Sequence, residues 1–203
     1  MVAVAVSSKD VILGRVRAAL ASGASEAPAI PRDYRRGSAE VDLELLVERL
    51  VDYKAVVHRA SSVSSAIAGI VPSGTVVVPP GLPLEWLPDG VTPLVDTGLD
   101  AGQIAATDGV VTGAAVAVVE TGTIVLDASP DQGRRIISLL PDLHICVVRP
   151  DQVVASVPEA IARLDPRRPL TWISGPSATS DIELNRVEGV HGPRRLHVII
   201  TQA

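Results

Sequence analysis

Apolar residues recur with a helical period in three stretches of the chain. Residues 8–22 carry apolar side chains on one face and are followed by Gly23, which favours the end of a helix. Residues 39–54 and 153–164 show the same three- and four-residue spacing, so all three stretches are predicted to be helices. Their apolar stripes consist of Ile12, Val16, Ala19 and Leu20, of Leu43, Leu46, Val47 and Leu50, and of Val153, Val157, Ala160, Ile161 and Leu164.

Short apolar runs separated by turn residues predict a series of strands. A further short helix is predicted at 61–70, and runs 115–119 and 123–126 are predicted to form a hairpin around Gly122. The predicted strands are 55–58, 75–78, 91–95, 115–119, 123–126, 143–148, 170–174 and 196–200. Several are apolar throughout, as strands are when both faces of a sheet are covered. The alternation with helices predicts an α/β fold, a three-layer sandwich with a mostly parallel sheet.

One domain boundary is predicted near residue 37. Residues 1–37 comprise the first helix and a stretch rich in proline and arginine, which we interpret as an N-terminal helical arm. Residues 38–203 form the main α/β domain. The sequence leaves open whether the arm packs on its own domain or on a partner chain.

Composition narrows the class of protein. The net charge of −5, the pI near 5.3, and the presence of only two Trp, two Tyr and no Phe argue against a nucleic-acid-binding protein. The apolar N-terminus lacks a basic region and Asp10 follows closely, so no signal peptide is predicted. No apolar run is long enough to span a membrane. The expected location is the cytoplasm.

The single cysteine, Cys146, excludes an intramolecular disulfide and a four-thiolate cluster within one chain. It lies in an apolar run, where a buried thiol is expected rather than a nucleophile. No histidine and carboxylate spacing resembles a metal site, and no glycine-rich nucleotide-binding turn is present. We therefore predict no bound metal and no cofactor for this chain. His58, His144 and His197 fall in strands and are predicted to be satisfied core or edge residues.

The first candidate site is the turn from Glu120 to Thr123. A carboxylate at a strand end can be half-buried with a raised pKa, and Glu120 could then act as a base or a nucleophile, beside ligand contacts from Thr121, Gly122 and Thr123. The alternative is that Glu120 and the two threonines only satisfy backbone groups of the turn. The pattern slightly favours the structural alternative.

The second candidate site is the hydroxyl-rich segment 173–183. A loop after a strand, at the carboxyl edge of a sheet, could bind a carboxylate or phosphate through Gly175, Ser177 and Thr179. Ser180 and Glu183 also fit a capping box, which explains that pair without a ligand.

Two further residues have competing interpretations. His191 lies between two glycines and is as consistent with a site as with a turn. Arg134 could form a bidentate pair with a carboxylate ligand, although the pattern favours an exposed helix start.

Four segments in this order resemble the LUD domain family of lactate utilisation protein C, and residues 12–17 resemble its first helix. The segments are 120–126, 133–145, 173–183 and 189–193 with the strand after it. The resemblance implies a fold similar to ribose-5-phosphate isomerase, glucosamine-phosphate deaminase and CoA transferases. It also implies a role as one of three proteins that oxidise L-lactate to pyruvate, with the iron–sulfur clusters on the partner proteins.

The resemblance leaves two functions open, beside the possibility of a purely structural domain. The first is a non-redox accessory or small-molecule-binding subunit, with iron–sulfur proteins as partners and a small carboxylate or phosphate as a possible ligand. The second is a stand-alone enzyme acting on a small phosphorylated or acyl-CoA substrate with Glu120 as base or nucleophile. CoA transferases carry Glu-x-Gly-x-x-Gly, and Val125 stands here where the last glycine would be.

Overall fold

A computed structural model describes residues 7–23, 29–31, 33, 40–176 and 192–202. The chain divides into two compact units, Met1–Tyr34 and Arg35–Ala203. The first unit contains α1 (Ser8–Ser22), which confirms the predicted N-terminal helix. Ser7 caps it by accepting a hydrogen bond from the Asp10 amide at 3.2 Å, because the first amides of a helix have no partner within it.

The second unit contains ten strands and four helices among its described residues. The strands are β1 (Val56–Ala60), β2 (Gly74–Val78), β3 (Val91–Val95), β4 (Gly109–Thr112), β5 (Val116–Val118), β6 (Thr123–Leu126), β7 (Leu143–Val148), β8 (Val153–Val154), β9 (Thr171–Ile173) and β10 (Arg195–Thr201). The helices are α2 (Leu43–Asp52), α3 (Val63–Ile70), α4 (Ala101–Ala105) and α5 (Val157–Arg163). None of the helices in the described part of the chain is long and apolar enough to cross a membrane.

Six strands form a sheet in which every pair is parallel, in the order β1-β10-β7-β4-β2-β3. The two central strands β4 and β7 are buried along their whole length. Both of their faces are covered, so neither strand alternates between apolar and polar residues. The predicted mostly parallel sheet is confirmed.

The remaining strands form a second sheet in the order β8-β5-β6-β9. β5 and β6 pair antiparallel as the predicted hairpin, with Ala117 opposite Ile124. These two residues pack in one core with Leu46 and Leu50 of α2 and with Val198 of the parallel sheet. The second sheet and α2 therefore cover one face of the parallel sheet.

The opposite face of the parallel sheet is covered by α3. Ile67 of α3 packs against Val76, Ile145 and Ile199 from three strands of the sheet. On the outer face of the second sheet, Ala160 of α5 packs against other residues of β5, β6 and β8. Elements thus lie on both sides of a parallel sheet, as the predicted α/β three-layer sandwich requires.

Candidate functional site

Pairing of β6 with β9 brings part of the predicted site together. Ile124 lies opposite Ile173, which places Thr123 beside the chain leaving β9. The Thr123 and Ser174 hydroxyls are hydrogen-bonded at 2.8 Å. The turn from Glu120 to Thr123 and Gly175 are therefore neighbours. Ser177, Thr179 and His191 lie outside the described residues.

Two glycines of this region pack directly against the end of α2. Gly122 has a φ of +57°, and a Cβ there would lie 2.7 Å from the Arg49 Cβ. Gly175 has a φ of +84°, and a Cβ there would clash with the Tyr53 carbonyl oxygen. Both positions require glycine for conformation and for space. Because Tyr53 precedes β1, these contacts lie at the amino edge of the parallel sheet.

The loop after β9 was predicted to lie at the carboxyl edge of the parallel sheet, and this is wrong. β9 belongs to the second sheet and runs antiparallel to β6. It therefore delivers Gly175 to the amino edge instead. The apolar pattern of residues 170–174 identifies a strand but carries no information about which sheet the strand joins.

Glu120 is exposed, whereas the site interpretation of this turn allowed for a half-buried carboxylate. Its backbone amide donates to the Ala155 carbonyl at 3.2 Å, while its Oε1 accepts from the Val157 amide at 2.9 Å. Val157 is the first residue of α5, so the carboxylate satisfies a helix amide that has no partner within the helix. Glu120 therefore links the hairpin turn to α5.

Arg134 lies at the other end of the hairpin, near the residues that follow β6. Its Nε donates to Asp96 Oδ2 at 2.8 Å and one Nη donates to Asp96 Oδ1 at 2.5 Å and to the Leu99 carbonyl at 2.9 Å. The Arg134 hydrogen bonds hold the pKa of the Asp96 carboxyl below its ordinary value, against the opposing effect of burial. Arg134 thus forms its bidentate ion pair with Asp96 of its own domain, and not with a carboxylate ligand.

The carboxyl edge of the parallel sheet is covered by residues 127–134. The Gly81 amide, beyond β2, donates to the Pro130 carbonyl at 2.8 Å, and the Gly113 amide, beyond β4, donates to the Asp131 carbonyl at 2.8 Å. From β2 the chain continues to β3, and from β4 it continues toward β7 on the other side. The ends of β2 and β4 therefore form a switch point, where open α/β sheets bind ligands.

A cleft of about 260 Å³ lies beside this segment, at the ends of β4 and β7. We call it the strand-end cleft. Its lining includes Asp127, Asp131, Gln132, Arg149, Gln152 and Arg163, together with Ala114 and Ala115.

Two buried glutamines fix the backbone around the strand-end cleft. Gln152 accepts from the Arg149 amide at 2.8 Å and donates to the Ala114 carbonyl at 2.5 Å. Gln132 accepts from the Asp127 amide at 2.6 Å through its side-chain oxygen. Each amide side chain joins segments that are not neighbours in a strand ladder, so the walls of the cleft are held without a ligand.

The charged residues of the strand-end cleft differ in how far they are already paired. Asp127 is buried, and its carboxylate accepts from the Ser129 amide at 3.0 Å and pairs with Arg168 at 3.0 Å. Asp131 contacts the Gln132 side chain at 3.3 Å and forms no ion pair among the described residues. Arg149 pairs with Asp151 at 3.3 Å, and Arg163 donates to the Asp151 carbonyl at 2.8 Å.

Three histidines, His58, His144 and His197, and the cysteine lie in the parallel sheet, as predicted. His144 is fully buried and hydrogen-bonded to the Thr112 hydroxyl at 2.8 Å, and burial lowers its pKa to about 4. Cys146 is fully buried and contacts the Gly113 carbonyl at 3.5 Å, and burial raises its pKa to about 12. His58 and His197 are hydrogen-bonded at 3.0 Å with stacked rings.

The charged residues near the strand ends that the sequence interpretation missed each directly follow a strand. Asp96 directly follows β3, Asp127 directly follows β6, and Arg149 directly follows β7. A charged residue immediately after an apolar run is readable in the sequence as the end of a strand, where ligand sites of α/β sheets lie. No cluster of three or more metal-ligating side chains occurs within the described ranges.

Comparisons with known proteins agree with this architecture. The model of the LUD domain matches residues 83–201. A protein named lactate utilization protein C from Deinococcus radiodurans is 46% identical over 198 residues, which is 93% of each chain. One with the same name from Bacillus subtilis is 37% identical over 93 residues, 42% of this chain and 38% of its own. The crystal structure of a duf162 family protein from Deinococcus radiodurans is 43% identical, with a TM-score of 0.68 over 79% of this chain and 96% of that chain.

Proposed function

The chain belongs to the LUD domain family, and we propose that it is a component of a bacterial lactate-utilisation system. Within that system it acts as a non-redox accessory or small-molecule-binding subunit during oxidation of L-lactate to pyruvate. The observation that carries the proposal is 46% identity with lactate utilization protein C across 93% of both chains. A relationship of that extent covers the parallel sheet, the second sheet and the strand-end cleft together.

The chemistry of Cys146 supports the non-redox part of the proposal. Iron–sulfur clusters are held mainly by several cysteine thiolates. The chain has one cysteine, which is buried in β7 and whose pKa is raised to about 12 by that burial. A thiol in this state is a poor cluster ligand. The electrons of lactate oxidation therefore pass, in this proposal, through cluster-bearing partner proteins in the cytoplasm.

The proposal is tested by purifying the tagged chain from lactate-grown cells. We expect cysteine-rich, iron-containing proteins to co-purify in fixed ratio, as judged by mass spectrometry and iron analysis. Lactate-dependent dye reduction by the purified assembly should fall when this chain is removed and return when it is added back. Absence of iron–sulfur proteins from the purified material, with dye reduction unchanged without the chain, would refute the proposal.

The alternative of a stand-alone enzyme with Glu120 as base or nucleophile has weaker support. The Glu120 carboxylate is exposed and already accepts the Val157 amide, at the amino edge of the parallel sheet. A nucleophile toward an acyl-CoA needs an adjacent cleft that excludes water and orients the thioester. The strand-end cleft lies at the opposite end of the β5–β6 hairpin, where its lining includes Ala115 and Asp127.

A further inference from the structure

We propose that the strand-end cleft binds a small 2-hydroxycarboxylate, with its carboxylate on Arg149 and Arg163 and its hydroxyl on Asp131. The position of the binding site rests on the residues that line the strand-end cleft. The choice of L-lactate as the ligand to test rests on the proposed function. The cleft volume of about 260 Å³ suits a molecule of a few heavy atoms, since drug-sized ligands occupy pockets of roughly 300–1,000 Å³.

The positive side of the strand-end cleft is held by one residue, Asp151. Its carboxylate contacts the Nε of Arg149 at 3.3 Å, and its carbonyl accepts from an Nη of Arg163 at 2.8 Å. Each of these contacts uses one nitrogen of a guanidinium group, and each group carries five N–H donors. The two arginines can therefore donate further hydrogen bonds to a carboxylate while Asp151 keeps them in place.

The negative side of the strand-end cleft contains two carboxylates with different roles. Asp127 is buried and paired with Arg168 at 3.0 Å, so its charge is already compensated. Asp131 is only partly buried and has no ion pair within the described part of the chain. Its Oδ2 lies over Gly113, where a Cβ would approach it to less than 2.5 Å. The close packing on a glycine fixes this carboxylate at the end of β4.

The arrangement selects the chemical class of ligand. An ionised carboxylate only accepts hydrogen bonds, so Asp131 requires a donor on the ligand, and guanidinium groups require an acceptor. A molecule with a carboxylate and a neighbouring hydroxyl supplies both. A multiply charged phosphate compound would meet the charge of Asp131 as well as the arginines, which disfavours it.

The experiment is titration of the full-length chain with L-lactate, with propionate, which lacks the hydroxyl, and with (S)-1,2-propanediol, which lacks the carboxylate. Calorimetry measures affinity, and amide NMR locates the site. We expect L-lactate to bind about tenfold or more tightly than either analogue, since each analogue lacks one hydrogen-bonding group that contacts a charged side chain of the cleft. Amide shifts should concentrate at Gly113, Ala114 and Asp131 and spare Glu120 and Thr121.

Two variants test the roles of the charged groups. Arg163→Gln should weaken L-lactate binding about tenfold or more, and Arg163→Lys should be intermediate because it keeps the charge without the fork. Asp131→Asn should weaken L-lactate about tenfold without weakening propionate, because the variant loses the acceptor for the hydroxyl and also loses a negative charge near the bound carboxylate. Arg167→Gln and Asp89→Asn are the matched controls, because both residues are exposed and neither lines the strand-end cleft.

The binding measurements test the cleft proposal, and the dye-reduction assay tests the proposed function. Equal affinity for L-lactate and propionate, no saturable binding of any of the three compounds, or variants that bind like their controls would overturn the cleft proposal. Those results could coexist with lactate-dependent dye reduction that requires the chain, in which case the proposed function stands. Conversely, cleft binding in a chain that is dispensable for dye reduction would refute the proposed function and leave the cleft assignment intact. Thermal unfolding of each variant identifies any loss of fold, and Arg163→Lys then provides the decisive comparison.

Discussion

The Glu120 carboxylate has a structural role that can be measured. It accepts the amide of Val157 at the first residue of α5, which otherwise lacks a partner within the helix. We therefore expect Glu120→Ala to lower the free energy of unfolding by about 1 kcal/mol, the usual cost of losing a helix cap, and Glu120→Gln to lower it by less. Urea denaturation at neutral pH measures both effects.

The matched control for this prediction is Glu48→Gln on α2, because Glu48 is exposed and removal of its charge should leave stability nearly unchanged. The Glu120→Gln protein should also support lactate-dependent dye reduction as the parent does. Loss of that activity in a protein of parental stability would show that Glu120 takes part in chemistry, in favour of the enzyme alternative.

At the scale of elements, the turn of the β5–β6 hairpin approaches α2 most closely at a glycine. Gly122 combines a φ of +57° with a Cβ position 2.7 Å from the Arg49 Cβ, so alanine there is strained in conformation and in packing. We expect Gly122→Ala to lower the free energy of unfolding by about 2–3 kcal/mol.

Gly69→Ala in α3 is the internal control for this substitution. Gly69 is exposed within a helix, and a Cβ there would meet nothing within 4 Å. The same change should therefore raise stability by about 0.5–1 kcal/mol, because alanine loses less backbone entropy in a helix. Equal effects of the two substitutions in denaturation experiments would contradict the assigned role of Gly122.

Most elements could be predicted because each depends on local residues. β3 and β7 coincide with their apolar runs, and α1 ends at the glycine that predicted its end. The missed elements are short. β4 has four residues, and it is a strand because β2 and β7 pair with it on both sides. Such pairing partners are far away in the chain, and no local pattern reveals them.

At the scale of the whole molecule, the candidate site was harder to predict than the fold. The sequence showed a turn at Glu120 and a loop at Gly175, and the structure makes them neighbours. It could not show that both lie at the amino edge, since that depends on β9 joining the second sheet. The strand-end cleft combines residues from 114 to 164, and its charges meet only after β4, β6 and β7 are arranged in space.

The buried and paired histidines predict how stability of the whole chain depends on pH. His144 is fully buried with a pKa of about 4, and the pKa values of His58 and His197 are lowered by burial as well. In the unfolded chain all three titrate near 6.5. Below that pH the unfolded state binds protons that the folded state does not, so the histidines stabilise the fold fully above pH 6.5 and progressively less as the pH falls toward 4.

His144 gives the clearest measurement of this effect, because its ring is removed from solvent and hydrogen-bonded to Thr112. Between pH 7.5 and 5.5 its contribution to the free energy of unfolding should fall by about 1.4 kcal/mol, and His144→Gln should remove that part of the pH dependence. His58→Gln should remove less, because His58 is partly exposed.

An NMR titration should find the His144 ring neutral at pH 5.5. If His144→Gln and the parent lose the same stability over this range, or if the ring is protonated at pH 5.5, burial does not hold His144 neutral and the pH dependence must arise from other groups.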